Sequence, residues 1–134
     1  LLSRIRLCGS SYTRLAWMIM RADAYWFHAR IVSDKKEREL LYRNAITVYE
    51  ELLDRARNTM APDDVTLLTL LHKTTRILAE SANFDPQLVF KAAVMVDEAE
   101  KRLDQTTHSD ARRRITLIRY NLDCVNNEAL KHLV

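Results

Sequence analysis

Glycine occurs once and proline twice in this chain of 134 residues, so the turn residues that an all-β fold uses at its hairpins are missing. The only cysteines, Cys8 and Cys124, are too few for a disulfide framework and lack the paired spacing of a zinc site, which suits a reducing compartment. No stretch reaches the roughly 18 unbroken apolar residues of a membrane-crossing helix. The richest run, Leu15 to Met20, is bounded by Arg14 and Arg21. Charge of one sign is not concentrated either: the formal net charge is +3, and Lys and Arg are interleaved with Asp and Glu. A nucleic-acid footprint would be a stripe of one sign. The local exception, Arg112-Arg113-Arg114, reads as a solvated helix face, so neither nucleic acid nor a membrane span is expected.

The residues of common catalytic sites are also scattered. His28, His72, His108 and His132 fall on different elements, and no HExxH pair, G-x-S-x-G elbow or C-x-x-C occurs. With Gly9 as the single glycine, a backbone phosphate cradle cannot be built. Neighbouring acids such as Glu50-Glu51 and Asp97-Glu98 diverge by about 100° on a helix and do not share a site. The reading is therefore no catalytic residues, no metal, no cofactor and no enzyme.

What is present is helix. With 48% hydrophobic and 29% charged residues, one core can form in a single domain of this length. Apolar residues at Leu15, Met18 or Ile19, Ala22, Tyr25 or Trp26, Ala29 and Val32 give a buried face to a helix over about 12–32. Ser33 and Asp34 break it, and a second helix over about 37–60 carries Leu41, Ala45, Val48, Leu52 and Ala56 on one face. Pro62-Asp63-Asp64 marks a third start, over 63–81, with a face of Leu67 or Leu68, Leu71, Thr74 or Thr75, and Leu78. Asp85 as N-cap and Pro86 at the first helical position open a fourth helix, 86–105, with Leu88, Ala92, Met95 or Val96, Ala99 and Leu103 aligned. Gln105 to Asp110 is a polar connection to a fifth helix, 110–131, built on Ile115, Ile118, Leu122, Val125 and Leu130. The fold class is all-α: one domain, 1–134, of about five antiparallel helices.

The segment Trp17-Met18-Ile19-Met20-Arg21-Ala22-Asp23-Ala24-Tyr25-Trp26-Phe27-His28-Ala29-Arg30-Ile31 resembles the 14-3-3 helix containing Y-L-K-M-K-G-D-Y-Y-R-Y-L-A-E-V. Ser33-Asp34-Lys35-Lys36 is similar to that family's G-D-D-K-K turn, and Tyr49-Glu50-Glu51 with Met60 and Pro62 matches the spacing of Y-Q-E-A-F-E-I-S-K-K-E-M-Q-P. Without a gap, Glu80 then falls on the glutamate of Y-Y-E-I-L, Asp97-Glu98-Ala99 on F-D-E-A and Leu103-Asp104 on E-L-D; Thr116-Leu117-Ile118 looks like S-T-L-I, displaced by one. The resemblance covers roughly Leu15 to Asn126 and is that of a divergent relative with sparse identities. It implies a 14-3-3-like array with tetratricopeptide-like superhelical packing.

The resemblance also implies a groove. In the family an arginine-tyrosine pair on the first of these helices holds a peptide phosphate; here that pair falls on Trp26 and Phe27, which offer neither charge nor hydroxyl. The family's peptide-backbone asparagine falls on Lys73, the glutamate one turn on is kept as Glu80, and the second asparagine lands on Val125 or Asn126, of which Asn126 is chosen. Leu122 would line the apolar side, and Arg30, one turn after Trp26, would supply a replacement cation. The plainer reading makes Trp26 and Phe27 packing residues, and Lys73, Glu80 and Arg30 ordinary surface charges.

The function so implied is a 14-3-3-like protein interaction module or adaptor with phosphoserine or phosphothreonine recognition lost or altered, its groove taking an extended or helical segment of a partner protein. The alternative is a structural accessory subunit of a large assembly. The chain opens on Leu1 and has no acid before Asp23, while Arg4, Arg6, Arg14 and Arg21 alternate with Leu, Ser and Thr, which resembles a mitochondrial transit segment or simply the interior of a longer protein. The compartment is therefore read as cytoplasmic, with mitochondrial as the alternative. The amino-terminal helices through which the family dimerises have no counterpart in the sequence, so a complete chain would not form that dimer. A tetratricopeptide array ranks below these, because its 34-residue signature does not recur.

Overall fold

A computed structural model describes residues 11–81, 85–104 and 109–133. The described residues form five helices and no strand: α1 (Ser11–Ile31), α2 (Lys35–Thr59), α3 (Val65–Ser81), α4 (Pro86–Lys101) and α5 (Ser109–Leu133). The sequence readings that fall on Leu1 to Ser10, on Asn83 and Phe84, and on Gln105 to His108 lie outside the described residues.

Three helices start at an aspartate. At α2 the Asp34 carboxylate accepts from the Lys36 N–H at 3.0 Å while its carbonyl accepts from Arg38 at 2.9 Å. At α4 Asp85 adopts extended backbone (φ −114°, ψ 99°) and its Oδ1 accepts from the amides of Gln87 and Leu88, with Pro86 in the first turn. Each cap satisfies N–H groups that the helix cannot pair internally. α3 starts later than the sequence suggests: the Asp64 N–H closes a turn onto the Ala61 carbonyl at 3.0 Å, and the Asp64 carboxylate caps Thr66 at 2.8 Å. Pro62 therefore sits before the helix, because Asp64 offers a better cap than proline offers a start. α4 also ends early, as Arg102 and Leu103 switch to tighter bonds onto Ala99 and Glu100, three residues back.

The chain divides into two compact units, residues 1–52 and 53–134, with the boundary inside α2. In the first unit α1 buries Leu15, Ala22, Trp26 and Ala29, and α2 buries Leu41, Tyr42, Ala45, Ile46, Tyr49 and Leu52. The Trp26 ring meets that of Tyr49 edge-on, centroids 6.5 Å apart and planes at 85°. The buried Tyr49 hydroxyl donates to the Asp23 carboxylate, so the one acid of α1 is tied to α2. At the turn, the Arg38 guanidinium donates to the Val32 carbonyl (2.9 Å from Nη2), which the end of α1 leaves unpaired within the helix.

In the second unit α3 is the most enclosed helix, burying Leu67, Leu68, Leu70, Leu71, Thr74, Thr75, Ile77 and Leu78. It packs most closely on α5, whose inward residues are Ala111, Ile115, Ile118, Leu122 and Val125. The hydroxyls of Thr74 and Thr75 donate to the carbonyls of Leu70 and Leu71 at 2.7 and 2.8 Å, and the Asn121 amide donates to Thr75 Oγ1 at 3.2 Å. Ion pairs join the α2 end and the turn after it to α4: Asp54 with Lys91 (2.9 Å), Arg57 with Glu98 (3.0 Å) and Asp63 with Arg102 (3.4 Å). The partners advance together along both segments, so these two run parallel. Exposed pairs of this kind fix register more than stability.

The Tyr49–Asp23 bond carries a pH signature. Burial, then the Asp23 hydrogen bond and charge, push the Tyr49 phenol above its ordinary value. A group raised on folding stabilises the fold below its unfolded pKa and ceases to do so at higher pH, so this contribution should be complete at neutrality and decline above pH about 10. Tyr49→Phe should cost about 1 kcal/mol in urea unfolding at pH 7 and flatten the alkaline decline between about pH 9 and 11. A parallel loss in both proteins would show that the bond contributes nothing.

Candidate functional site

A groove of about 490 Å³ opens along α3 and α5 in the second unit. α3 contributes Arg76, Ala79 and Glu80, the strip left over once its other faces are buried. α5 contributes Tyr120, Asn121, Cys124, Asn127, Glu128 and Lys131, spaced by three and four residues on the side away from Ile118, Leu122 and Val125. The same helical period thus separates core from groove on one helix.

Its chemistry is polar and balanced. Arg76 and Lys131 supply two cations, Glu80 and Glu128 two carboxylates, and Lys131 pairs with Glu128 at 3.2 Å. Asn121 and Asn127 offer amides that both donate and accept. A hydrogen bond to Cys124, whose thiol is free, pushes the Tyr120 phenol up. No three His, Cys, Asp or Glu side chains converge as a metal site would need among the described residues. The arrangement suits hydrogen bonding to an extended chain, whose backbone alternates donors and acceptors.

The residues singled out from sequence are placed as follows. In the first unit Trp26 is buried and Phe27, stacked against it with centroids 6.2 Å apart and planes 1° from parallel, is exposed. The Arg30 guanidinium lies 4.5 Å from the Trp26 ring centre, a cation–π contact. In the second unit Glu80 is on the groove wall, Lys73 is half-buried, Leu122 is buried with the α5 core face, and Asn126 is exposed one position before the groove residue Asn127. Arg76, Tyr120, Asn121, Cys124, Asn127, Glu128 and Lys131 escaped the sequence reading. The signal was there in the polar three-and-four stripe of α5, opposite the apolar one.

No known family model matches the chain, and no curated protein or solved structure matches it either. Among the described residues no helix is long and apolar enough to cross a membrane.

Close to the groove the half-buried His72 is held below its ordinary pKa, first by burial and then by the charges of Arg114, Arg76 and Arg113. A histidine depressed on folding favours the native state only while it is neutral. Stability should therefore begin to fall as pH drops through the unfolded value, about 6.5, and keep falling toward the folded one. His72→Gln should remove part of the fall between about pH 7 and 5 in thermal unfolding; an unchanged profile would place its cause elsewhere.

Proposed function

We propose that this chain is a 14-3-3-like protein interaction module that binds a partner segment without reading a phosphate. The observation that carries the proposal is the charge balance of the α3–α5 groove, where Arg76 and Lys131 are matched by Glu80 and Glu128. A phosphoserine dianion placed there meets two carboxylates as well as two cations, and burying it without a surplus of cationic hydrogen bonds is costly. The position of the resembled arginine-tyrosine pair agrees, since Trp26 is buried and Phe27 presents a bare ring. The free Cys124 thiol fits a reducing compartment, cytoplasmic or, as the alternative, mitochondrial. A second reading, a structural accessory subunit, is favoured by the exposed apolar residues Met20, Phe27 and Ile31 of α1.

Fluorescence polarisation with an R-S-x-pS-x-P peptide and its unphosphorylated twin tests the loss of phosphate reading. The two should bind alike within about twofold, or neither should bind; a tenfold preference for the phosphorylated form would overturn the proposal. Peptides selected by display on the intact chain test the groove itself. Their binding should weaken about fivefold or more with Asn127→Ala or Glu80→Ala, the loss of one or two exchanged hydrogen bonds, and should protect Cys124 from maleimide. Selected peptides indifferent to both variants, with Cys124 still reactive, would move the site away from this groove.

A further inference from the structure

The first unit carries a surface that the groove reading does not use. Along α1 the exposed residues Ala16, Met20, Ala24, Phe27 and Ile31 recur at intervals of three and four. At 100° per residue they fall within an arc of about 80°, a continuous ridge of one helix face. Met20, Phe27 and Ile31 are 64%, 56% and 82% exposed. α1 thus has two apolar faces, one buried through Ala22, Trp26 and Ala29 and one presented to solvent, where single exposed apolar residues would be ordinary but an aligned row is not.

Charge decides the occupant. On one flank of the ridge the same geometry puts Arg14, Arg21 and His28, and on the other Asp23 and Arg30, whose guanidinium lies over the Trp26 ring. The one acid of α1, Asp23, accepts from the Tyr49 hydroxyl and stands on the Arg30 side, so the Arg14 side carries no acid of this helix. A second copy of α1 laid on the ridge would set arginines against arginines. Residues 1–10 of this chain carry Arg4 and Arg6 and no carboxylate, so the same objection applies to them. An apolar ridge with one cationic margin is complementary to an amphipathic helix with an apolar stripe and an acidic margin.

We propose that the outer face of α1, centred on Met20, Phe27 and Ile31, docks an acidic amphipathic helix of a partner protein, the apolar stripes giving adhesion and the Arg14–Arg21 flank choosing the sign of charge. This surface does not depend on the α3–α5 groove reading, and its test separates the two. The probe is a synthetic helix with a leucine stripe flanked by glutamates, beside a twin with the same stripe flanked by lysines, titrated by anisotropy against the intact 134-residue chain. The glutamate helix should bind at least tenfold more tightly than the lysine twin and weaken as salt rises. Phe27→Asp and Ile31→Asp should each reduce its binding at least tenfold, and in Ile31→Asp far-UV circular dichroism and the unfolding midpoint should stay unchanged, since that side chain is 82% exposed. Arg14→Glu with Arg21→Glu should invert the preference, and Asn127→Ala, in the groove, should leave it alone. Equal binding of the two helices, or none, overturns the proposal. So does capture of phosphatidylserine vesicles that Ile31→Asp abolishes while the glutamate helix stays unbound, which would make the face a membrane surface. Dimerisation lost in Ile31→Asp under the same condition would make the occupant a second copy.

Discussion

The second unit depends on enclosing α3. A helix with eight buried residues among its seventeen positions has little surface left to give, and two of the eight are threonines. A buried hydroxyl without a partner costs about as much as a buried leucine gains, so Thr74 and Thr75 are tolerable only because each returns its proton to a carbonyl one turn back. Thr75 then accepts from Asn121 and becomes a polar link between α3 and α5 in a seam lined with aliphatic side chains. That link fixes the register of the two helices. With Asn121 held at Thr75, Arg76 and Glu80 stand beside the Tyr120 to Lys131 stripe and the groove has two walls.

The connectors are as economical as the core. Lacking glycine after Gly9, the chain cannot use left-handed residues to stop its helices cheaply. Aspartate stands in three of its connectors, at Asp34, Asp64 and Asp85, where one side chain caps the start of the next helix. The Asp34 and Asp85 boundaries were legible from sequence because cap and break coincide there. The start of α3 was not, because Pro62, Asp63 and Asp64 all favour a helix start; which of them wins depends on whether the Asp64 amide turns back onto Ala61. The end of α4 was overextended for a similar reason. Leu103 continues the apolar period, but its backbone has already tightened into bonds three residues back.

Most core positions were legible, since apolar periodicity is imposed by burial itself: Leu15, Ala22, Ala45, Leu71, Ala92 and Ile118 are all inside, whereas Leu130, read as part of the α5 face, is exposed at the end of that helix. Outer positions were not, since a polar residue facing solvent obeys no such rule. Trp26 and Phe27 show the difference within one step of a helix. Their separation of about 100° puts Trp26, a candidate for the apolar face, in the core and Phe27 in solvent. That Arg30 lies over Trp26 follows from the i, i+4 spacing only once Trp26 is known to point that way. The α5 groove residues form a polar three-and-four stripe that a solvated helix face would also show, so periodicity alone does not separate Asn127 from its exposed neighbour Asn126.

Two surfaces of opposite electrostatic character therefore occur on this chain, one in each unit. In the groove, two cations and two carboxylates leave little net field, so a ligand gains there only through directed hydrogen bonds and shape, which fall off within an ångström of misfit. On α1, Arg14, Arg21 and His28 line one flank on which the helix places no acid, and a surplus of that sign reaches roughly a Debye length, about 8 Å at physiological salt, and can choose a partner before contact. The first design suits a segment read residue by residue. The second suits a helix recognised by the sign of its margin and then held by apolar area, to which Met20, Phe27 and Ile31 contribute exposed surface.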